Sequence, residues 1–305
     1  AMTALTLKEF LKLLPLFEAA WNDYKKAHGN VGRPDGFFCV EDMLVFILYY
    51  LKCYPLQEVF AYSFGMSQGD ANYWIHLLSR ILRDALDRSG NLPQRISGPL
   101  KEELEKELER RRAEQASEEN QSPGSEPVLE IGIDGTDRRR RRPADPELQK
   151  ESYSGKTKCH VFGNIIIGDL DTRKVYLLGE TIEGANGEKK VCEKAGYEFP
   201  AGTNAFVDKA YQGYQPKDVN MYQPKKKPRN GELTEGEKEI NSIISGCRVV
   251  IEHIICGVKR LRIVKDVFRN TKKKFEDLVM ELACGLHNFR EEFRSSIRTM
   301  TGGNL

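Results

Sequence analysis

Two aspartates and a glutamate, each on its own stretch of chain, are the residues best placed to do chemistry. Apolar runs at Val128–Asp134 (VLEIGID) and Thr203–Asp208 (TNAFVD) both end in an aspartate. Further on, Arg248, Glu252 and Lys259 fall within an arc of about 40° on a helix, since each residue advances by about 100°. The apolar residues Ile243, Ile244, Cys247, Val250, Ile251, Ile254, Val258 and Leu261 gather on a neighbouring face, so this charged stripe borders buried surface. A carboxylate flanked by two cations there can be a structural ion-pair array. Two strand-end aspartates and a helix glutamate can instead serve phosphoryl transfer. Carboxylates from separate elements bind Mg²⁺ through a few oxygens and leave room for water and phosphate. Two ions about 3.5 to 4 Å apart can activate the attacking oxygen and stabilise the leaving one. The expected cofactor is therefore Mg²⁺ or Mn²⁺, two ions per site, held by Asp134, Asp208 and Glu252. No protein nucleophile is needed, and the five histidines show no Ser-His-Asp or Cys-His partners. His160 and His253 read as packing or supporting residues, and Asp169 and Asp171 as turn residues.

These groups need a sheet and a covering helix. Val128–Asp134, Lys158–Asp169 and Lys174–Ile182 read as strands, with a hairpin at Asp169–Arg173. A small helix fits Lys189–Gly196, the strand ending at Asp208 follows, and a long helix opens near Thr234, where Glu237 completes a T-x-x-E capping box. Phe275–Phe293 is a final amphipathic helix. The order implies a mixed α/β sheet covered by helices. Upstream, Leu5–Lys26 reads as an amphipathic helix and Glu41–Tyr54 as a largely buried one. A short helix ending at Gly65 and a longer one capped by Ser67 have the parts of a helix-turn-helix. Gln68, Asn72, His76 and Arg80 lie on the polar side of the second helix, opposite Trp74, Leu78, Ile81 and Ala85. Any three-helix bundle can show the same pattern. Leu100–Gln115 is charged nearly all round and reads as a solvated helix, and Ala116–Pro127 as a flexible linker. The expected layout is a helical domain over 1–98, a charged helix and linker over 99–127, a catalytic domain over 128–293 and a frayed tail over 294–305.

The 305 residues, 40% hydrophobic, suffice for one large domain or two. The longest apolar run, Met43–Leu51, is far short of a membrane span, and the N-terminus lacks the arrangement of a secretory signal. Ala1 before Met2 reads as a cloning remnant. A soluble cytoplasmic or nucleoid-associated protein, with no membrane partner, is the expectation. The seven cysteines contain no C-x-x-C pair and read as free thiols. Charge is unevenly spread: residues 1–130 carry 15 basic and 20 acidic side chains, residues 131–305 carry 32 and 25. The positive part holds basic clusters suited to a phosphate backbone: Arg138, Arg139, Arg140, Arg141 and Arg142; Lys225, Lys226 and Lys227; Arg260 with Arg262; and Lys272–Lys274. The arginine run, four residues past Asp134, can be a phosphate-gripping loop or an exposed basic turn.

IDGTDRRRRRP, KESYSGKTKCH, FVDKAYQGY, PKKKPRNGELTEGEKEIN and RVVIEHIICGVKR, in this order, resemble the DDE transposases of the PIF/Harbinger group and its bacterial insertion-sequence relatives. The resemblance covers most of Val128–Phe289, and SFGMSQGDANYWI resembles their N-terminal DNA-binding region. It implies an RNase H-like catalytic core preceded by an all-α helix-turn-helix domain, with the triad at Asp134, Asp208 and Glu252. It also implies that Arg248 and Lys259, in an R-x₃-E-x₆-K spacing, hold transposon-end DNA. Two departures stand out: Ser245 replaces a tyrosine of that signature, and GANGEK places Gly187 and Glu188 at the His-Asp positions of a G-x-x-H-D-K segment. The function implied is a metal-dependent cut-and-paste DNA transposase, acting on terminal inverted repeats and target DNA as a homodimer or larger assembly. The rivals are a transposase-derived DNA-binding protein without catalysis and a nuclease or resolvase on the same core.

Overall fold

The computed structural model describes residues 2–29, 36–117, 126–184, 187–229 and 231–300. Most of the expected linker, the end of the tail (301–305) and residues 185–186 of GANGEK lie outside them. The chain begins with α1 (Leu7–His28), α2 (Val40–Cys53), α3 (Gln57–Ser63), α4 (Gln68–Arg88) and α5 (Ser97–Ser117). β1 (Glu130–Arg139), α6 (Pro146–Ser152), β2 (Tyr153–Ser154), β3 (Cys159–Asp169), β4 (Val175–Leu178) and β5 (Ile182–Glu183) follow. Then come α7 (Glu188–Ala195), β6 (Thr203–Val207) and β7 (Val219–Tyr222). Last are α8 (Glu235–Val258), α9 (Arg262–Lys265) and α10 (Phe275–Met300). They form two compact units, one of Ala1–Leu92, Arg138–Arg141 and Cys256–Leu305, the other of Pro93–Asp137 and Arg142–Ile255.

The helical unit is held by aromatic packing. Phe46 meets the rings of Phe37, Phe60 and Phe64 at 4.5 to 5.1 Å, and Trp74 meets Trp21 and Phe37. Ser67 caps α4, its Oγ accepting from Asp70 N at 3.1 Å, and Thr6 with Glu9 forms a capping box on α1. α10 packs with this unit. Its Gly285 lets Leu86 and Leu92 approach within 3.1 Å of where a Cβ would stand. Arg83 clasps Glu281 with two hydrogen bonds, and Asn288 donates to Asn91 O at 3.0 Å. Two expected DNA contacts are consumed here. Arg138 is 2% exposed and donates to Glu276 O at 2.9 Å, so the arginine run begins as buried strand end rather than loop. His76 is 8% exposed, edge-on to Phe275 and hydrogen-bonded to Asn270. Neither faces outward to a nucleic acid.

The sheet unit runs β2-β3-β1-β6-β7, with β4 and β5 also paired to β3. β1, β6 and β7 are parallel neighbours. Alternation along the strands sorts the faces. Ile131, Ile133, Ile165, Ile167, Ala205 and Val207 join Leu100, Leu104, Cys192 and Tyr211 in one core. α5 is thus not solvated all round: Leu100 and Leu104 are buried, Leu108 packs on the same core, and Arg111 pairs with fully buried Asp169. Asp169 also has the expected turn role, its Oδ1 accepting from Asp171 N and Thr172 N at 2.8 Å. The expected single strand Lys174–Ile182 is split into β4 and β5. Between them Asn164 Nδ2 bonds Gly179 O and Thr181 Oγ1, a side chain standing in for the ladder. β7, α6 and β2 had no clear sequence signal. None of the seven cysteines, all among the described residues, is in a disulfide. By length and composition α8 could cross a bilayer; its Ile251 and Ile254 lie against Gly132 and Gly168 of the sheet.

Burial, with Lys272 and Arg80 adding like charge, lowers the His76 pKa to about 4. A histidine of depressed folded pKa costs nothing while both states are neutral. As pH falls below about 6.5, only the unfolded state gains the proton. Wild-type stability should therefore drop between about pH 6.5 and 4, by on the order of 2 to 3 kcal/mol. Denaturant melts of His76→Asn, which keeps a hydrogen-bonding group but cannot titrate, should lack that drop.

Candidate active site

β1 and β6 bring the two aspartates together. Their last paired residues are Ile133 and Val207, so Asp134 and Asp208 follow one step beyond on adjacent parallel strands, about 4.8 Å apart by strand spacing. Each turns one carboxylate oxygen onto the next backbone amide: Asp134 Oδ1 accepts from Gly135 N at 2.9 Å, and Asp208 Oδ1 from Lys209 N. Gln223 Nε2 holds Asp208 O at 2.7 Å. By the two-residue alternation, Asp134 shares a face with Gly132 and Asp208 with Phe206, opposite the core that takes Ile133 and Val207.

α8 lies on that face. A Cβ at Gly132 would stand 2.6 Å from Ile251 Cβ, and one at Gly168 would stand 2.9 Å from Ile254 Cδ1. Only glycine at both positions lets the helix come this close. Ile244, Ile251, Ile254 and Val258 are buried, whereas Ile243, expected with them, is exposed. The helix starts as expected: Thr234 N donates to Glu237 Oε2 at 2.9 Å and Glu237 N to Thr234 Oγ1 at 3.3 Å. Glu252, next to Ile251, is presented at the edge of the packed face. Arg248, one turn earlier, places Nη2 3.7 Å from Asp208 Oδ2 and 3.9 Å from Glu252 Oε1. α8 ends at Val258, so Lys259 stands in the turn after the helix, not on the stripe.

Burial raises the pKa of Asp134, and the carboxylates of Asp208 and Glu252 raise it further, against the Gly135 amide and Arg248. Asp134 thus feels two like charges in a partly desolvated place, where a cation would relieve the repulsion. All are hard oxygen donors on separate elements, the donor chemistry of a divalent ion such as Mg²⁺. Among the described residues no three His, Cys, Asp or Glu side chains converge as a ready-made cage, and Arg248 is the cation drawn in.

Sequence reasoning left the role of Glu188 open. It opens α7 on the opposite face, and a Cβ on Gly135 would come within 2.7 Å of three of its side-chain atoms. Burial and then Asp134 push its pKa up. Its acidic type at the Asp position of the G-x-x-H-D-K pattern was the available signal.

The remaining candidates are scattered. Lys225 pairs with Glu237 and Lys227 with Glu232, while Lys226 is exposed. Arg142 Nε and Nη2 both donate to Gln149 Oε1, Arg139 and Arg141 are exposed, and Arg140 is half-buried. In the helical unit Gln68 and Arg80 are exposed, and Asn72 Nδ2 donates to Gln57 Oε1 at 3.2 Å.

Residues 133–288 match the family described as DDE superfamily endonuclease, and residues 38–88 match the helix-turn-helix of DDE superfamily endonuclease. The chain is similar to the probable transposase for insertion sequence element IS702 of Microchaete diplosiphon. It is 24% identical over 267 residues, covering 88% of this chain and 86% of that protein. No solved structure gives a significant match.

The approach of α8 to β1 can be tested at its glycines. Gly132→Ala forces Ile251 outward and should cost about 1 to 3 kcal/mol in a denaturant melt. Gly246→Ala, on the same helix with nothing within 4 Å, should instead gain roughly 0.5 to 1 kcal/mol. Equal effects at the two positions would mean that α8 is not seated on Gly132.

Proposed function

The chain belongs to the DDE superfamily of endonucleases, and from that membership we propose that it is a cut-and-paste DNA transposase. The observation that carries the reading is the pairing of Asp134 and Asp208 at the ends of adjacent parallel strands, with Glu252 brought alongside by α8. The motifs shared with the PIF/Harbinger group support a finer placement there. In this reading Asp134, Asp208 and Glu252 hold two divalent cations, Mg²⁺ or Mn²⁺. When bound, these supply Lewis-acid stabilisation of phosphate charge and a lowered pKa for the attacking oxygen.

The work of the chain itself is placement. Adjacent strands hold two carboxylates at fixed spacing, and the glycine-seated helix adds the third. Arg248 offsets part of their repulsion and is suited to a phosphate of the DNA end; Lys259, in the turn after α8, is a separate DNA contact in this reading. Water attacks the phosphorus at the transposon end, adding its hydroxyl there and releasing the 3′-oxygen as a free 3′-OH. That hydroxyl then attacks a target phosphodiester, forming the new bond as the target's own 3′-oxygen leaves. The helix-turn-helix supplies sequence preference through Gln68 and Asn72 on α4, since base-edge contacts specify while phosphate contacts set strength. Two ends must be cut together, so the active form is a homodimer or larger, acting in the cytoplasm or nucleoid.

This reading expects short inverted repeats on either side of the gene, and the test uses a duplex of one such end. Asp134→Ala, Asp208→Ala and Glu252→Gln should each lower nicking by about 10²-fold or more while end binding stays near wild type. Lys259→Ala should weaken end binding without disturbing the carboxylates. A Glu252→Gln protein that nicks at near wild-type rate would remove α8 from the active site. Product joined to a second duplex distinguishes a transposase from a simple nuclease.

A further inference from the structure

The placement of Lys272–Lys274 is not that of an ordinary solvated charge run. The segment before α10 is fastened to the helical unit at several points. Phe268 N donates to Arg139 O at 2.8 Å and Arg141 N to Phe268 O at 3.4 Å, so this segment and the end of β1 lie side by side. Arg269 is locked onto the turn between α2 and α3. Its N donates to Tyr54 Oη at 2.7 Å, its Nη2 to Tyr54 O and Pro55 O, and its guanidinium lies over the Tyr54 ring. Asn270 bonds His76 of α4, whose ring packs on Phe275, and Asn270 Oδ1 accepts from Lys272 N at 2.8 Å.

The consequence is a fixed basic turn on the flank of α4. Lys272 and Lys273 are exposed, and neither has an ion-pair partner among the described residues. The turn runs on from a cleft of about 350 Å³ whose polar lining includes Gln68, Asn72, Arg141, Arg269 and Thr271, with Glu58 as its acidic member. A helix that reads base edges near its N-terminus brings the groove edges, and hence the phosphates, against whatever flanks it. Holding unpaired lysines at that place by so many anchors suits an anionic polymer lying in the cleft. Solvation alone would need no anchors.

We propose that the turn Arg269–Lys273, with Arg141, is a phosphate-contacting wall of the helix-turn-helix. Duplex DNA is then gripped by three separate parts of the chain. This rests on the reading of α4 as the DNA-reading helix. His76, 8% exposed, is the pin that holds the wall in place rather than a base contact.

Fluorescence anisotropy of the full chain with a 25-base-pair duplex of arbitrary sequence, at several salt concentrations, tests this. Lys272→Ala/Lys273→Ala, or the corresponding glutamine pair, should reduce the slope of log K against log salt by about 1.8, at roughly 0.9 for each phosphate no longer neutralised. The melting temperature should stay at the wild-type value, because both side chains are exposed. The motif selected from a randomised duplex pool should be the same for the lysine variant as for wild type, and should change for Gln68→Ala/Asn72→Ala. A wild-type slope in a lysine variant of normal melting temperature overturns the wall. If wild type selects no motif while the slope still falls, the reading of α4 is overturned and the phosphate contact stands.

Discussion

The site depends on how closely one helix can lie on one sheet. α8 rests its isoleucines where Gly132 and Gly168 have no side chain, so Glu252 arrives at the level of Asp134 and Asp208. A methyl group at either glycine would meet Ile251 or Ile254 at 2.6 to 2.9 Å, well inside ordinary contact. Strand pairing positions the two aspartates with no help from their side chains, because the parallel register of β1 and β6 ends on Ile133 and Val207. The third carboxylate has no such guarantee and relies wholly on this packing. The glycines therefore belong to the site although they touch nothing that reacts.

Bringing three carboxylates together is unfavourable, and the surroundings show how the unfavourable term is met. Asp134 is partly desolvated and shifted upward, two backbone amides each take one carboxylate oxygen, and Arg248 reaches toward two carboxylates at once. The arrangement favours any partner of higher positive charge density than a guanidinium. It also gives Arg248 a place from which a phosphate could draw it. A concentration of like charge of this kind costs stability, and perturbed carboxylates of this kind cluster at functional sites.

Much of this was legible in the sequence because the signals were local. The capping box at Thr234 and Glu237, the Ser67 cap, the aspartates closing two apolar runs and the helical register of Ile251 and Ile254 all act over a few residues. What was not legible came from partners far along the chain. His76 sits on the polar side of α4 by any helical wheel, yet Asn270 and Phe275, nearly 200 residues later, cover it. Arg138 reads as one of five equivalent arginines, but strand alternation turns it inward, where the start of α10 accepts its hydrogen bond. α5 looks solvated because its apolar stripe is narrow, only Leu100, Leu104 and Leu108 among many charges. The Arg248–Glu252–Lys259 stripe stops short because α8 ends at Val258, in a turn the periodicity does not reveal.

The discontinuous make-up of the helical unit bears on how the protein is born. α1 to α4 leave the ribosome first, but Leu86 and Leu92 meet their partner only when Gly285 of α10 has been made, and Arg83 waits as long for Glu281. At roughly 5 to 20 residues per second, the interval is about ten to forty seconds of translation. During that time the nascent helices expose the surface α10 will cover. The unit that carries the helix-turn-helix match is thus finished only once α10 has been made, and a ribosome that stalls before it releases a chain whose N-terminal helices lack their closing piece.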